Sequence, residues 1–140
     1  MIIDATNTIM GRLATRVAKL LLKGEKVEVV NIEKTVFSGD PKQIVERYRA
    51  RRGMQNKSDP EKSAKWPRRP DYLFKRILRG MLPKNRTGEI VLHNFIAHVG
   101  VPSELADKKI ERIETKEATA LDCRHITLLQ VSKQLGWNSL

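Results

Sequence analysis

Residues 1–31 read MIIDATNTIMGRLATRVAKLLLKGEKVEVVN, and this stretch determines the fold class. Residues 1–4 are mostly apolar and predict a short buried strand. The stretch that follows, as far as about Lys23, places its apolar side chains on one broad helical face and predicts a helix. The valine-rich residues 27–31 predict a second strand. This order is typical of an α/β domain with a mainly parallel sheet.

Residues with defined capping preferences predict where this first helix and the next one begin and end. Asn7 or Thr8 is expected to cap the first helix, and Gly24 to stop it. Asp40 is expected to cap the second, with Gln43 completing a capping box. This second helix is expected to end near residue 52. Between the helices, residues 35–37 either extend the second strand or form a short neighbour to it.

The remainder of the chain predicts two more helices and one more strand. A third helix is expected over residues 70–79, with Gly80 in a left-handed stop. Residues 84–88 are predicted to form a basic turn, and residues 90–99 a strand. A last helix is expected over residues 127–135, opened by a capping box of Thr127 and Gln130 and stopped by Gly136. Residues 103–125 show only a weak pattern, and the 140 residues are expected to form a single domain.

Charge is the most informative property of the composition. The chain carries 27 basic and 16 acidic side chains, and its formal net charge is +11. Residues 42–86 hold fifteen of the basic and four of the acidic side chains, so this third of the chain accounts for the whole excess. Such a concentration indicates a polyanionic partner, above all a nucleic acid. The alternative is a solvated basic face that serves solubility.

The candidate RNA-binding residues lie mainly in this basic third, including a loop at about residues 53–69 that lacks any periodic pattern. Trp66 and Tyr72 either stack on unpaired bases or serve as core and loop anchors. The first helix carries a basic stripe of Arg12, Arg16, Lys19 and Lys23, which is either solvated or in contact with phosphate. The full set of candidates is Arg12, Arg16, Arg47, Arg51, Arg52, Lys57, Lys65, Arg68, Arg69, Lys75, Arg76, Arg79, Lys84 and Arg86.

Motifs that would support catalysis, metal binding or membrane insertion are missing from the sequence. There is no P-loop, no dinucleotide-binding glycine motif and no nucleophile elbow. The pair of Cys123 and His125 cannot close a zinc site, so no metal or cofactor is expected, and Cys123 is predicted to be buried. Asp4 is expected to hold backbone N–H groups. No apolar run is long enough to span a membrane, and the single cysteine favours a reducing compartment.

An ordered set of short motifs resembles the ribosomal protein L13 family of the large subunit. The signature is Arg79-Gly80-Met81-Leu82-Pro83-Lys84, and the similarity covers nearly the whole chain. The supporting stretches are Ile3-Asp4-Ala5, Met10-Gly11-Arg12-Leu13-Ala14, Val29-Val30-Asn31, Ser38-Gly39, Arg68-Arg69-Pro70-Asp71, Phe74-Lys75-Arg76, Val99-Gly100-Val101-Pro102 and Ile126-Thr127-Leu128 through Leu135-Gly136. The last of these is similar to the tail of archaeal members.

The resemblance implies a three-layer α/β/α fold with a four-stranded parallel sheet. It also implies a non-enzymatic structural role in the cytoplasm, bound to the ribosome, with large-subunit rRNA and neighbouring large-subunit proteins as partners. No small-molecule substrate is expected. Two alternatives stay open from the residues alone. One is an RNA-modifying enzyme or nuclease, which would need a catalytic constellation, and the other is extra-ribosomal regulation through the same basic face.

Overall fold

The computed structural model describes residues 1–106, 108–112 and 121–138. The strands are β1 (Ile2–Asp4), β2 (Val27–Val30), β3 (Val36–Ser38), β4 (Phe95–Ala97), β5 (Glu111–Arg112) and β6 (His125–Thr127). The helices are α1 (Met10–Leu22), α2 (Pro41–Gly53), α3 (Pro70–Arg79), α4 (Arg86–His93), α5 (Ser103–Ala106) and α6 (Leu128–Gln134). Two 3-10 turns occur at Ile32–Lys34 and Pro60–Lys62.

The main sheet has four strands in the order β4-β2-β1-β5, and every pairing in it is parallel. The steps from β1 to β2 and from β2 to β4 run in the same direction across the sheet. Right-handed crossovers therefore place α1 and α3 on one face, where they contact each other. The return from β4 to β5 runs the opposite way and places α5 on the other face. The expected three-layer α/β/α fold with a parallel sheet is confirmed.

The core lies between the sheet and the layer of α1 and α3. The sheet contributes Ile3 and Val29 to this core and α1 contributes Leu13, and all three side chains are fully buried. Phe74 of α3 stacks on Phe95 of β4, with the ring centroids 5.7 Å apart. Burying a side chain of this size stabilises the fold by about 1.5–3 kcal/mol. This packing fixes α3, and with it the polar face that α3 turns outward.

Two glycine stops and one capping box were predicted correctly. Gly24 has a φ of +89° and Gly136 a φ of +88°. In both turns the glycine N–H and the following N–H bond back to the last helical turn, which is the Schellman arrangement. At the start of α6, the Thr127 hydroxyl accepts from the Gln130 N–H, and the Gln130 side chain accepts from the Thr127 N–H.

The predicted cap of α1 was wrong, whereas the predicted cap of α2 was right in position but forms no cap hydrogen bond. Ile9 occupies the cap position of α1 and makes no side-chain cap bond. Thr8 instead donates its hydroxyl to the Ala5 carbonyl at 2.7 Å, while Asn7 takes a φ of +55° in the turn. Asp40 does occupy the cap position of α2, but its side chain forms no cap bond, and an Arg124 guanidinium nitrogen lies 3.9 Å from the carboxylate. A nearby cation therefore competes with the backbone for this carboxylate.

The largest correction concerns residues 84–99, where a basic turn and a long strand were predicted. Residues 86–93 form the helix α4, and only Phe95–Ala97 form a strand. Asn85 caps this helix by accepting a hydrogen bond from the Gly88 N–H at 3.0 Å. Gly80 is also not the predicted left-handed stop, since its φ of −68° is right-handed. At the end of α3 the Gly80 N–H donates to the Ile77 carbonyl and the Met81 N–H donates to the Leu78 carbonyl.

The remaining elements to be compared with the sequence are β3, α5 and β5. β3 neither extends β2 nor pairs with it, because it forms a separate antiparallel sheet with β6. α5 and β5 lie within residues 103–125, where no assignment was made, and residues 107 and 113–120 of that stretch fall outside the described part of the chain. Cys123 is exposed, so its predicted burial was wrong.

Asp4, at the end of β1, holds the adjoining turn together, as predicted. Its Oδ1 accepts from the Thr6 N–H at 3.0 Å, from the Thr6 hydroxyl at 2.7 Å and from the Asn31 amide at 3.1 Å. Partial burial by itself would raise the pKa of Asp4. The hydrogen bonds from Thr6 and Asn31 outweigh that effect, with help from Arg112, and the pKa is lowered.

We expect Asp4→Asn to destabilise the protein at neutral pH and to have little effect in acid. Since the folded-state pKa of Asp4 lies below the unfolded-state value, its charge stabilises the fold fully above about pH 5. That contribution is lost as the pH falls through the lowered pKa. Urea unfolding of both proteins at pH 7 and pH 3 measures this difference. An equal difference in stability at the two pH values would contradict the assignment.

Candidate nucleic-acid interface

The basic third of the chain folds into α2, the segment 54–69, α3 and the turn that leads into α4. Segment 54–69 contains no α-helix or strand, only the 3-10 turn Pro60–Lys62. Its lysines are exposed, and so are half of the arginines on the adjoining helices. The polar faces of α2 and α3 and the segment between them therefore present many cations to solvent.

Trp66 is the centre of this surface. Its ring meets the buried Tyr48 edge-on, with the centroids 5.9 Å apart. The guanidinium carbon of Arg51 lies 4.9 Å from the Trp66 ring centroid, and that of Arg76 lies 5.2 Å from it. Arg52 Nη1 donates to the Trp66 carbonyl at 2.6 Å. Three arginines from two helices are thus gathered by one half-buried tryptophan, which packs against the core and so agrees with its interpretation as a loop anchor.

The arginines of this Trp66 cluster are held near other cations. Partial burial lowers the pKa of Arg52, and the neighbouring Arg68 guanidinium lowers it further. Arg68 itself contacts the Gly136 carbonyl, with Nη1 3.5 Å from the oxygen. Holding like charges together destabilises a protein unless a bound anion neutralises them. The electrostatics of the cluster therefore favour a phosphate ligand.

The helix α3 separates an apolar face from a polar one. Leu73, Phe74 and Leu78 are fully buried. Lys75 and Arg76 are half-buried, Arg79 is exposed, and Tyr72 is 54% exposed with the Arg69 guanidinium 5.0 Å from its ring centroid. The interpretation of Tyr72 as a core residue was wrong, whereas its availability for stacking agrees with the other interpretation.

The turn between α3 and α4 is fixed by a close approach at Gly88. This glycine is buried, and a Cβ atom there would overlap with the backbone of Pro83. The first turn of α4 consequently lies directly against residues 83–84. Lys84 and Arg86, both exposed, project from this rigid corner.

The basic stripe of α1 is divided between two grooves. Arg12 lines a groove with Tyr48 and Ile77, beside the Trp66 cluster. Arg16 instead lines a separate groove with Lys19, Lys23 and the β5 residues. The structure thus brings Arg12 near α2 and α3 but places Arg16 with a different set of cations. Arg47 is exposed on α2, and Lys57 and Lys65 are exposed on segment 54–69.

Most of the fourteen candidate cations have no acidic partner among the described residues. Within the part of the chain that the structure describes, only Arg69 lies within 4.0 Å of a carboxylate, with Nη2 2.8 Å from Asp71 Oδ2. The other thirteen make no ion pair with a described residue. A surface kept only for solubility gains nothing from leaving so many neighbouring cations unpaired.

Sequence reasoning missed the acidic and apolar members of this surface. Glu89, Leu82 and Leu92 line a cavity beside Arg76, and Tyr48 supports Trp66 from below. The stretch Asn85-Arg-Thr-Gly-Glu is the signal that could have revealed α4 and Glu89, because asparagine is a preferred helix cap. In the described residues no group of three or more potential metal ligands occurs. None of the described helices combines the length and apolar character needed to cross a membrane.

Comparison with known sequences identifies the family. The sequence model of a family described as Ribosomal protein L13 matches residues 1–104. The chain belongs to the ribosomal protein L13 family. A ribosomal protein L13 is a structural component and not an enzyme, so the enzyme alternative is set aside.

Archaeal relatives match nearly the whole length of this L13 chain, in keeping with the archaeal resemblance. A protein of Aeropyrum pernix named Large ribosomal subunit protein uL13 is 45% identical over 138 residues, covering 97% of this chain and 89% of the relative. A protein of the same name in Sulfurisphaera tokodaii is 40% identical over 136 residues, covering 96% of this chain and 93% of the relative. The Archaeoglobus fulgidus protein of the same name is 38% identical over 142 residues, covering 99% and 89%.

Proposed function

We propose that this chain is a structural constituent of the large ribosomal subunit that binds and stabilises large-subunit rRNA in the cytoplasm. Neighbouring large-subunit proteins are its protein partners, and residues 1–140 act as a single domain. The RNA contacts come from α1, α2, segment 54–69, α3 and the corner at 84–86. The contacting residues are Arg12, Arg16, Arg47, Arg51, Arg52, Lys57, Lys65, Arg68, Arg69, Lys75, Arg76, Arg79, Lys84 and Arg86.

One observation carries this proposal, namely the thirteen candidate cations that pair with no described carboxylate. Arginine presents a planar fork that binds two phosphate oxygens together, and lysine supplies a mobile point charge. Neutralising phosphates with such groups releases counterions from RNA and drives binding. The family membership and the names of the archaeal relatives support ribosomal RNA as the partner.

Sedimentation of a cell lysate tests the proposal directly. We expect the chain in the large-subunit fraction at one copy per subunit, with retention after a high-salt wash. Retention is expected because many phosphate contacts act together and none has to dissociate alone. Recovery only in light fractions would contradict a role in the subunit.

We expect Trp66→Leu to lower rRNA affinity several-fold while leaving the salt dependence of binding unchanged. The variant keeps every cation, so the number of counterions released stays the same. It removes the ring that holds Arg51 and Arg76, and each cation–π contact of this kind contributes about 0.5–1 kcal/mol. Filter binding over a series of salt concentrations measures both quantities.

Trp137→Leu is the matched control, because Trp137 is half-buried outside the basic third of the chain. It should reproduce any general effect of losing a tryptophan without reducing RNA affinity. A fall in the salt dependence of Trp66→Leu would show instead that whole phosphate contacts are lost.

A further inference from the structure

A cavity of about 390 Å³ opens between α3 and α4, beside Trp66. Its apolar wall is formed by Trp66, Leu82, Pro83 and Leu92. Leu82 is buried in the core, and the approach of Gly88 to Pro83 fixes the opposite side. The cavity is therefore a preformed, partly apolar recess within an otherwise cationic surface.

Three cations line the same recess, since Arg76, Arg79 and Lys84 all contribute to its wall. None of the three forms an ion pair with a described residue. Arg76 lies against the Trp66 ring, which orients its guanidinium plane. An oriented guanidinium can stack on a base or bind a phosphate with two hydrogen bonds.

Among the described residues that line the cavity, Glu89 is the acidic one. It lies in the first turn of α4, and no described cation comes within ion-pair distance of it. A carboxylate next to three cations would weaken a plain phosphate site. An ionised carboxylate accepts hydrogen bonds and donates none, so it selects a ligand that carries N–H groups.

We propose that this cavity binds a single extruded nucleotide of the RNA, with guanosine preferred and uridine disfavoured. The base lies against the apolar wall, the cations hold its phosphates, and Glu89 accepts from the base edge. Guanine offers two adjacent N–H donors on that edge, whereas uracil offers one between two carbonyl oxygens that repel the carboxylate. This inference rests on the proposed RNA binding and adds a site that reads the identity of one base.

A ligand that carries both a planar ring and a phosphate fits this lining better than a ligand with only one of the two. A bare phosphate would leave Trp66, Leu82 and Leu92 facing water and would be repelled by Glu89. An aliphatic ligand would bury the cations without a partner, which is unfavourable. Unpaired RNA bases are commonly bound by stacking on aromatic rings or guanidinium planes, with hydrogen bonds to their edges.

Amide NMR of the full chain tests whether a nucleotide enters the cavity. Guanosine monophosphate should shift the amide signals of Gly80 and Gly88, which line it, and leave those of Gly24 and Gly39 in place. Inorganic phosphate is the matched probe and should shift them far less. Equal shifts with inorganic phosphate, or equal shifts at all four glycines, would overturn the proposal.

RNA hairpins with the same stem and a single extruded nucleotide test the base preference. We expect the guanosine hairpin to bind at least about fivefold more tightly than the uridine hairpin, as for a well-formed bidentate base contact. Glu89→Gln should reduce this ratio to below about twofold, because the amide donates to the uracil carbonyls that the carboxylate repels. Glu46→Gln is the control, because Glu46 is exposed on α2 outside the cavity, and it should keep the ratio.

The hairpins also separate this inference from the proposed function. Salt-dependent binding of every hairpin with no preference among them would overturn the nucleotide site and leave RNA binding intact. Absence of salt-dependent binding to all of them would overturn both. A preference that Glu89→Gln leaves unchanged would overturn the role of Glu89 and the proposal with it.

Discussion

Replacing Arg76 and Arg79 together by alanine should weaken rRNA binding and make it less dependent on salt. Each phosphate contact contributes about 0.7–0.9 to the slope of log affinity against log salt concentration. Loss of two contacts should therefore reduce the magnitude of that slope by about 1.5. Both side chains lie on the polar face of α3 and neither has a described carboxylate partner. Titrations over a range of salt concentrations measure the slope.

Two matched variants show whether the effect belongs to this surface. Changing both arginines to lysine keeps the charge and loses the planar fork, so affinity should fall while the slope stays near that of the wild type. Changing Lys26 and Lys133 to alanine removes two exposed cations outside residues 42–86, and the slope should not change. An unchanged slope in the double alanine variant would count against α3 as a phosphate-binding face.

Gly88→Ala should destabilise the protein by about 2–3 kcal/mol, at the upper end of the cost of overpacking. The added Cβ atom would overlap with the Pro83 carbonyl, which is backbone and cannot rotate away. Relief requires α4 to move from the turn at residues 83–85, and that movement would displace Lys84 and Arg86. A lower denaturant midpoint and weaker RNA binding are both expected.

Gly11→Ala is the control for this change and should stabilise the protein instead of destabilising it. Gly11 lies in α1 and is exposed, and a Cβ atom there meets nothing within 4 Å. Replacing a helical glycine by alanine in open space stabilises a helix by about 1 kcal/mol. If Gly88→Ala were as stable as the wild type, the contact between α4 and Pro83 would not hold in solution.

Local signals in the sequence predicted the elements whose ends depend on a few adjacent residues. The β1–α1–β2 unit, the stop at Gly24 and the capping box of Thr127 and Gln130 follow from short-range chemistry. The failures arose where tertiary contacts decide between alternatives. The apolar stretch of residues 90–99 indicated a strand, but Asn85 caps a helix that packs on Pro83. β5 has only two residues, too few to produce a pattern.

The site shows the same division between local and long-range information. Composition alone identified the basic residues, because charge needs no structure to be counted. It could not show that Trp66 gathers Arg51, Arg52 and Arg76, since these residues are separated along the chain. Glu89 was missed because it belongs to a helix that was not predicted.

The pairing of β3 with β6 has a consequence for synthesis of the chain. Val36–Ser38 bond to His125–Thr127, and the Leu128 N–H donates to the Thr35 carbonyl at 2.8 Å. The parallel pairings of β1, β2 and β4 need only the first 97 residues. A nascent chain can therefore pair β1, β2 and β4 early, whereas β3 cannot pair until residues 125–127 have left the exit tunnel. The pairing of β3 with β6 therefore forms late in folding, because it joins residues that are far apart in the sequence.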